Sequence, residues 1–347
     1  MVRLKDGRIS VSRRAIIGAR WAMGLAIVGV LLMRFDFGGV VEALRHANME
    51  LAVPAIAGLV AMHLVGAATW RLLSARIAGI RLSWWEAVRT YYAAQGIGGL
   101  TPGNIGADAY RVYVAGDATG WRRALLPVVV QRVTSSIALA VIATLALFTL
   151  PRPGEIAGLV TGSAILLALA SSAVVLVIWR PGRRSMLARR AGEPLGPVSD
   201  RPSARRLVGP AWLGIGLGLV FHAGSIVLSY ALVAAITPVR DPLPVIGCIA
   251  VARLSILLPI SPSGLGFQEG ALSLLFLRIG LPAETALAAA LLNRVALLVT
   301  SGLGVALLLA RRHEAAVDPR AEPPATARSG SRAAIRPIPG GQADGAR

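Results

Sequence analysis

The chain has 347 residues, of which 55% are hydrophobic and only 15% are charged. This balance excludes an ordinary soluble domain and is typical of a helical protein with several membrane spans. The formal net charge is +19, but the basic residues form short clusters between apolar runs, as the positive-inside rule produces. We therefore expect no nucleic-acid partner. The single cysteine, Cys248, excludes disulfides and a cysteine-based metal site, and the sequence predicts no metal and no cofactor.

The N-terminal part of the chain predicts two membrane spans. Residues 1–14 are basic and precede the apolar run 15–33, which we interpret as an uncleaved first span because no small-residue cleavage site follows it. A polar connector at 34–48, long enough for a short surface helix, leads to the second span at 49–73. Residues 74–89 mix Arg with Trp, which is typical of a membrane–water interface.

Residues 87–115 do not read as a straight spanning helix. Glycine and proline crowd the middle of this segment, and a helix interior tolerates neither well. The pattern predicts two half-length helices that meet at Thr101–Asn104, forming a re-entrant hairpin. Irregular backbone at membrane depth is acceptable only where protein or a wet cavity satisfies its polar groups.

The second half of the chain repeats this plan. Four further spans are predicted at 122–150, 156–179, 207–236 and 282–310. An arginine-rich loop at 180–206 precedes the third of these, and a second hairpin is predicted at 243–280, broken at Ser261–Gly264. The transmembrane domain thus covers 15–312, and we expect 313–347 to be a disordered tail because it lacks large apolar residues.

The arginine distribution tests this map. If the N-terminus is cytoplasmic and each hairpin returns to the side it left, the basic clusters all fall inside, including the loop at 180–206 and the start of the tail. The predicted fold is therefore an all-α polytopic protein of the cell membrane with about six full transmembrane helices, two re-entrant helical hairpins, and both termini cytoplasmic.

The two hairpins echo each other in sequence. Both read Ser/Thr-Pro-x-x-Ile/Leu-Gly at an offset of 160 residues, followed by an acid, Asp108 or Glu269. The span after the first hairpin carries Gln131-Arg132-Val133, and the span after the second carries the similar Asn293-Arg294-Val295 at an offset of 162. Three predicted spans separate the hairpins, so they enter from opposite faces. Similar sequences in opposite orientations are the signature of an inverted repeat.

The repeated residues suggest chemistry for an anion. A half-helix that begins at the bilayer midplane offers unpaired N–H groups and the positive end of its dipole. Arg132 and Arg294 lie inside apolar runs, where an arginine costs at least about 2.5–3.5 kcal/mol and usually faces a partner or a wet cavity. Two interpretations stay open. Asp108 and Glu269 either form structural ion pairs with these arginines, or the arginines contact a lipid phosphate that displaces the acids.

The other predicted substrate-binding residues are turn residues and polar neighbours of these four. They are Thr101, Pro102, Gly103, Asn104, Gly106, Arg111, Gln131, Ser261, Pro262, Gly264, Gly266, Gln268 and Asn293. We expect Arg111 at the cytoplasmic mouth. Arg253 either lines the outer entrance or pairs with Glu269, and His222 is expected to be a packed polar residue. Neither Gly-x-Ser-x-Gly nor a Walker A pattern occurs, and no nucleophile–base pair is visible, so we expect no enzyme.

Two stretches carry a resemblance to a known family. Leu100-Thr101-Pro102-Gly103-Asn104-Ile105-Gly106-Ala107-Asp108-Ala109-Tyr110-Arg111 and Leu258-Pro259-Ile260-Ser261-Pro262-Ser263-Gly264-Leu265-Gly266-Phe267-Gln268-Glu269 resemble motifs of the lysylphosphatidylglycerol synthase transmembrane region family. That family carries Pro-Gly-x-x-Gly-(Asp/Glu)…Arg and, later, Pro-Gly-Gly-Leu-Gly-x-x-Glu. This chain departs by Ser263 in the second motif and by Ala107 before Asp108. The resemblance covers about residues 15–312.

The resemblance implies a flippase-like function. In the multiple peptide resistance factor the related domain flips aminoacylated phosphatidylglycerol, and other relatives are proposed to move or process lipid-linked sugars. About 35 residues follow the last predicted span, so we expect no aminoacyltransferase domain and no synthesis of lysylphosphatidylglycerol. The leading hypothesis is translocation of a phosphate-bearing lipid, an anionic phospholipid or a lipid-linked glycan. The alternative is a membrane scaffold for an envelope glycosyltransferase or aminoacyltransferase, with purely structural hairpins.

Overall fold

The computed structural model describes residues 3–5, 8–10, 13–34, 36–101, 104–116, 120–151, 204–257 and 263–317, with the single glycines 154, 158 and 162. Apart from Gly158 and Gly162, the predicted fourth span lies outside the described residues, as do nearly all of the arginine-rich loop and most of the predicted tail. So do four of the predicted site residues, Pro102, Gly103, Ser261 and Pro262.

The all-α prediction is confirmed: the regular structure of the described chain is helical, apart from a short antiparallel pair of three-residue strands at Arg3–Lys5 and Arg8–Ser10. The helices are α1 (Arg13–Arg34), α2 (Phe37–Arg45), α3 (Met49–Ala78), α4 (Trp84–Gly99), α5 (Ile105–Gly116), α6 (Trp121–Ala146), α7 (Ala204–Ala234), α8 (Pro242–Arg253), α9 (Phe267–Arg278) and α10 (Ala283–Val317). Single 3-10 turns extend α6 and α8. Helix α10 continues five residues into the segment predicted to be a tail.

Four of these helices are long and apolar enough to cross a membrane. The qualifying stretches are Met49–Ala78, Arg123–Thr149, Arg206–Ala234 and Ala283–Ala310, in α3, α6, α7 and α10. Large apolar side chains stay exposed along them, among them Phe148, Trp212 and Leu298. A soluble surface seldom carries such a belt, whereas lipid tails solvate it. Helix α1, 22 residues long, covers the predicted first span.

The first predicted hairpin is two half-length helices, α4 and α5, packed against each other. Ser83 and Glu86 form a capping box that starts α4. The chain breaks after Gly99, and the Thr101 hydroxyl accepts a hydrogen bond from the Gly106 N–H at 2.9 Å. Asn104 adopts a left-handed φ of 60°, which asparagine tolerates better than most residues. The predicted break at Thr101–Asn104 is confirmed.

The second hairpin is built from α8 and α9, which also pack together. Its returning helix begins at Phe267, three residues beyond the predicted break at Ser261–Gly264, so Ser261-Pro262 does not begin it. Ser263 and Gly266 both have a positive φ, 48° and 76°, and such a backbone cannot continue as a helix. Gly266 also lies against α1, because a Cβ there would be 2.6 Å from the Gly24 carbonyl oxygen.

The packing of the two halves is reciprocal. Helix α4 of the first hairpin packs on α10, the span after the second hairpin, and α8 of the second hairpin packs on α6, the span after the first. Each returning helix packs on its own following span, α5 on α6 and α9 on α10, while α3 packs on α7. The two hairpins thereby face a common space inside the four long helices.

The contact between α4 and α10 depends on Gly96 and Gly304, which let the two backbones touch. We expect Gly304→Ala to destabilise the protein by about 1–3 kcal/mol, because its Cβ would overlap the Tyr92 carbonyl oxygen and lie 2.6 Å from the Gly96 nitrogen. Thermal unfolding in detergent measures the change. Gly302→Ala is the matched control, since its Cβ would have nothing within 4 Å. Equal stability of the two variants would contradict the tight crossing.

Candidate functional site

A cavity of about 260 Å³ lies between the hairpins and the four long helices. Polar side chains line it in stripes at helical spacing, which places them on one face of each helix. On α7 the stripe is His222, Ser225 and Ser229. The lining residues are Leu59, His63, Tyr91, Gln95, Asn104, Asp108, Arg111, Gln131, Arg132, Ser135, Ser136, Leu139, Phe221, His222, Ser225, Ser229, Arg253, Ser263, Gln268, Asn293, Ala296, Leu297, Thr300 and Ser301.

Asp108 anchors a charged network at the first hairpin. One carboxylate oxygen accepts from Arg111 Nη2 at 2.5 Å, and the other accepts from Arg132 Nη1 at 2.7 Å. Gln131 extends the network, because its Oε1 accepts from Arg111 Nη1 at 2.6 Å and its Nε2 donates to the Gly66 carbonyl at 2.9 Å. The network ties the hairpin to α6 and α3 through charge-assisted hydrogen bonds, which are the strong ones.

Arg111, which the sequence predicts at the cytoplasmic mouth, is buried and lines the cavity. Its side chain is only 8% exposed, and its guanidinium carbon lies 6.0 Å from the Trp70 ring centroid and 5.3 Å from that of Tyr91. Guanidinium groups stack favourably on aromatic faces. Arg111 is therefore the buried partner of Asp108. Arg132, whose side chain is 38% exposed, is the more accessible partner.

Arg253 brings a third guanidinium to the cavity. Its Nη2 donates to the Ser225 carbonyl oxygen at 3.1 Å and to Ser229 Oγ at 2.9 Å. Both acceptors are neutral, and within the described ranges no carboxylate forms an ion pair with Arg253. Of the two alternatives for Arg253, the pairing with Glu269 is therefore wrong, because α8 directs this side chain towards Ser225 and Ser229 of α7.

Glu269 pairs with Arg294, and the pair is buried beside the second hairpin turn. Arg294 Nε donates to Glu269 Oε1, and the side chains are 9% and 3% exposed for Arg294 and Glu269. The other Glu269 oxygen accepts from the Gly266 N–H at 2.7 Å, and Arg294 Nη1 donates to the Ser263 carbonyl at 3.0 Å. Neither residue belongs to the cavity lining. Their contacts brace the turn.

The other described residues of the predicted set divide into two groups. Asn104, Gln131, Gln268 and Asn293 line the cavity. Asn104 Nδ2 donates to Gln95 Oε1 at 3.2 Å, and Asn293 Nδ2 donates to the Ala289 carbonyl at 3.0 Å. Thr101, Gly106, Gly264 and Gly266 shape the two turns and do not line the cavity.

The structure adds to the lining polar residues that were not among the predicted substrate-binding residues. Ser135 Oγ lies 3.0 Å from His222 Nε2, a contact that joins α6 to α7 across the cavity. The buried His222 Nδ1 has no hydrogen-bond partner among the described residues, so the acid that orients the base of a serine–histidine catalytic pair is missing there. The stripe of His222, Ser225 and Ser229, spaced three and four residues apart, was the available sequence signal.

A family model, the lysylphosphatidylglycerol synthase TM region, matches residues 17–304. The chain belongs to this family. The matched stretch includes both hairpins and every lining residue of the cavity, so the resemblance is confirmed. Family membership and four apolar helices of spanning length make the chain an integral membrane protein. A search among curated proteins found no match.

Proposed function

We propose that this family member is a flippase-like transporter that passes the headgroup of a phosphate-bearing lipid through the cavity between its hairpins. The observation that carries the proposal is the charge of the lining. Among the described lining residues, three are arginines, Arg111, Arg132 and Arg253, and one is a carboxylate, Asp108. Asp108 pairs with Arg111 and Arg132, whereas the described acceptors of Arg253 are neutral, so positive charge exceeds negative charge in the described lining.

Such an excess of positive charge is costly inside a membrane protein. Ionisable groups at membrane depth usually pair with one another or serve a substrate pathway. A phosphate would supply the missing counter-charge, and guanidinium binds it through a planar fork of donors. The acyl chains would stay in the bilayer, next to the exposed apolar faces of the long helices, while only the headgroup enters.

The proposed topology supports this path. The reciprocal packing of α4 on α10 and of α8 on α6 is what an inverted repeat with two re-entrant hairpins would produce. In that arrangement the protein crosses the membrane with six full spans and both termini are cytoplasmic. The two hairpins then approach the cavity from opposite faces of the membrane. A headgroup could then be exposed to each side in turn around a fixed site.

Asp108 is the proposed counter-charge that the substrate displaces. It holds Arg132 at 2.7 Å while also accepting from the more deeply buried Arg111. An arriving phosphate competes for Arg132, and Asp108 keeps its bond to Arg111. When the phosphate leaves, Asp108 returns to Arg132. Arg132 therefore has a counter-charge, either Asp108 or the phosphate, at every stage. Neither the binding nor the release of the headgroup then leaves this arginine without a counter-charge.

Arg132→Gln tests the proposal directly. We expect transfer of a fluorescent phospholipid across reconstituted vesicles to fall by roughly tenfold or more, because one charge-assisted hydrogen bond of about 1.5–3 kcal/mol is lost. Arg76→Gln, at an exposed position of α3, is the matched control and should transfer lipid at the wild-type rate. Wild-type vesicles that transfer no faster than protein-free vesicles would refute the function, and equal rates for Arg132→Gln would refute the site.

The scaffold alternative draws on a different observation. The Glu269–Arg294 pair is buried outside the cavity lining, as expected of a hairpin with a purely structural role. A scaffold should bring an envelope-lipid enzyme with it on purification and should transfer no lipid alone. We also propose that the chain is not an enzyme, since Ser135 and His222 lack an orienting acid among the described residues.

A further inference from the structure

One wall of the cavity is rich in neutral hydrogen-bonding groups. Helix α7 contributes His222, Ser225 and Ser229, and Ser135 and Ser136 face them from α6. The guanidinium of Arg253 lies within this wall, held by Ser225 and Ser229. The Asp108–Arg132 pair joins the first hairpin to α6. The cavity thus combines a charged region with a hydroxyl-rich region.

Three buried polar atoms of the lining have no partner within the described chain. They are His63 Nδ1, His222 Nδ1 and Gln268 Oε1. A buried polar atom without a hydrogen bond is costly, and it is commonly satisfied by water or by a ligand. These atoms supply acceptors and, in one imidazole tautomer, donors. Hydroxyl groups of a ligand can bond to either kind.

We infer that the cavity selects a lipid headgroup that is anionic and carries neutral hydroxyls, and that it rejects a cationic aminoacyl headgroup. The inference rests on the proposed function and names its substrate class. A phosphate would meet the arginines, and hydroxyls of a glycerol or a single sugar would meet the serine, histidine and glutamine groups. The volume of about 260 Å³ lies below the usual range of roughly 300–1,000 Å³ for drug-sized ligands, so the headgroup must be small.

Charge explains the rejection of a cationic headgroup. A lysyl group brings ammonium charges into a cavity whose described lining already has more guanidinium than carboxylate. Asp108, the one carboxylate among the described lining residues, already accepts from Arg111 and Arg132. An ammonium group would have to compete with both for it, and like charges placed together in a desolvated site repel strongly.

Three lipids with identical short fluorescent acyl chains and unmodified headgroups separate the possibilities in reconstituted vesicles. Phosphatidylglycerol is anionic with hydroxyls, phosphatidic acid is anionic without them, and lysylphosphatidylglycerol is cationic. Extraction with albumin measures the transfer. We expect phosphatidylglycerol to move at least about tenfold faster than the lysyl lipid, with phosphatidic acid in between. Arg253→Gln should reduce the ratio of the transfer rates of phosphatidylglycerol and the lysyl lipid. Arg240→Gln, a control at an exposed position, should leave this ratio unchanged.

The outcomes separate this inference from the proposed function. Transfer of the lysyl lipid at or above the rate for phosphatidylglycerol would overturn the charge selection while the transporter stands. Equal rates for phosphatidic acid and phosphatidylglycerol would overturn the hydroxyl selection. Absence of transfer for all three would refute the transporter. Native mass spectrometry of the wild-type protein, titrated with each lipid in detergent, then tests the selection alone, and equal occupancy would overturn it.

Discussion

Glu269→Leu is expected to destabilise the protein by about 3–5 kcal/mol, because it leaves Arg294 buried without its carboxylate. Arg294 is 9% exposed, and among the described residues its one further acceptor is the Ser263 carbonyl. Its Nη2 is already buried without a partner among the described residues. The substitution also removes the acceptor of the Gly266 N–H. Thermal unfolding in detergent and the yield of monodisperse protein measure the loss.

A double-mutant cycle shows whether the pair is structural. Arg294→Met should destabilise by a similar amount, since it leaves Glu269 as an unpaired buried anion, whereas Glu269→Leu combined with Arg294→Met should recover much of the loss. The recovered double variant should still transfer lipid, because neither residue lines the cavity. A stable double variant without transfer would instead place this pair in the substrate path.

The two hairpin acids show why the sequence left two interpretations open, structural ion pairs or arginines that contact a lipid phosphate. Asp108 follows its motif glycine, Gly106, by two residues, whereas Glu269 follows Gly266 by three. One residue rotates a side chain by about 100° around a helix. Glu269 thereby reaches back to its own turn at Gly266, and Asp108 faces α6 and the cavity. Two related motifs therefore place Glu269 against its own turn and Asp108 in the lining of the cavity.

The breaks in the two hairpins could be predicted because glycine and proline act locally. The helix starts were harder. Helix α4 begins at a Ser83-x-x-Glu86 capping box, a signal that we read as part of an interfacial stretch rich in tryptophan and arginine. Helix α9 begins five residues after Pro262, since Ser263 and Gly266 turn the chain first. Ser263 stands where the family carries glycine, which a φ of 48° would suit better.

The surroundings of an arginine could not be predicted from its own segment. The sequence predicts Arg111 at the cytoplasmic mouth, and the structure places its guanidinium against the rings of Trp70 from α3 and Tyr91 from α4. The sequence places Arg253 either at the outer entrance or in a pair with Glu269. In the structure its guanidinium donates to Ser225 and Ser229 of α7. Both outcomes depend on helices far away in sequence, which local periodicity does not specify.

Asp108→Asn is expected to slow lipid transfer by at least about thirtyfold, the lower end of the 2–5 kcal/mol that follows when one member of a buried charge pair is removed. The variant keeps the size of the side chain but removes the charge that balances Arg111 and Arg132. A lipid phosphate then becomes the counter-charge of two arginines, and the Asp108 carboxylate no longer competes with it for Arg132. The headgroup should bind more tightly and leave more slowly.

The measurement that distinguishes trapping from misfolding is the amount of lipid that stays bound. Asp108→Asn should purify with more phospholipid per protein than the wild type, as counted by native mass spectrometry, while its transfer rate falls. Glu42→Gln, which removes an exposed carboxylate on α2, should change neither quantity. Less bound lipid together with slower transfer would mean that Asp108 positions the hairpin and is not displaced by the substrate. Because a structural counter-charge lowers binding when removed and a displaced one raises it, the sign of the change decides the role of Asp108.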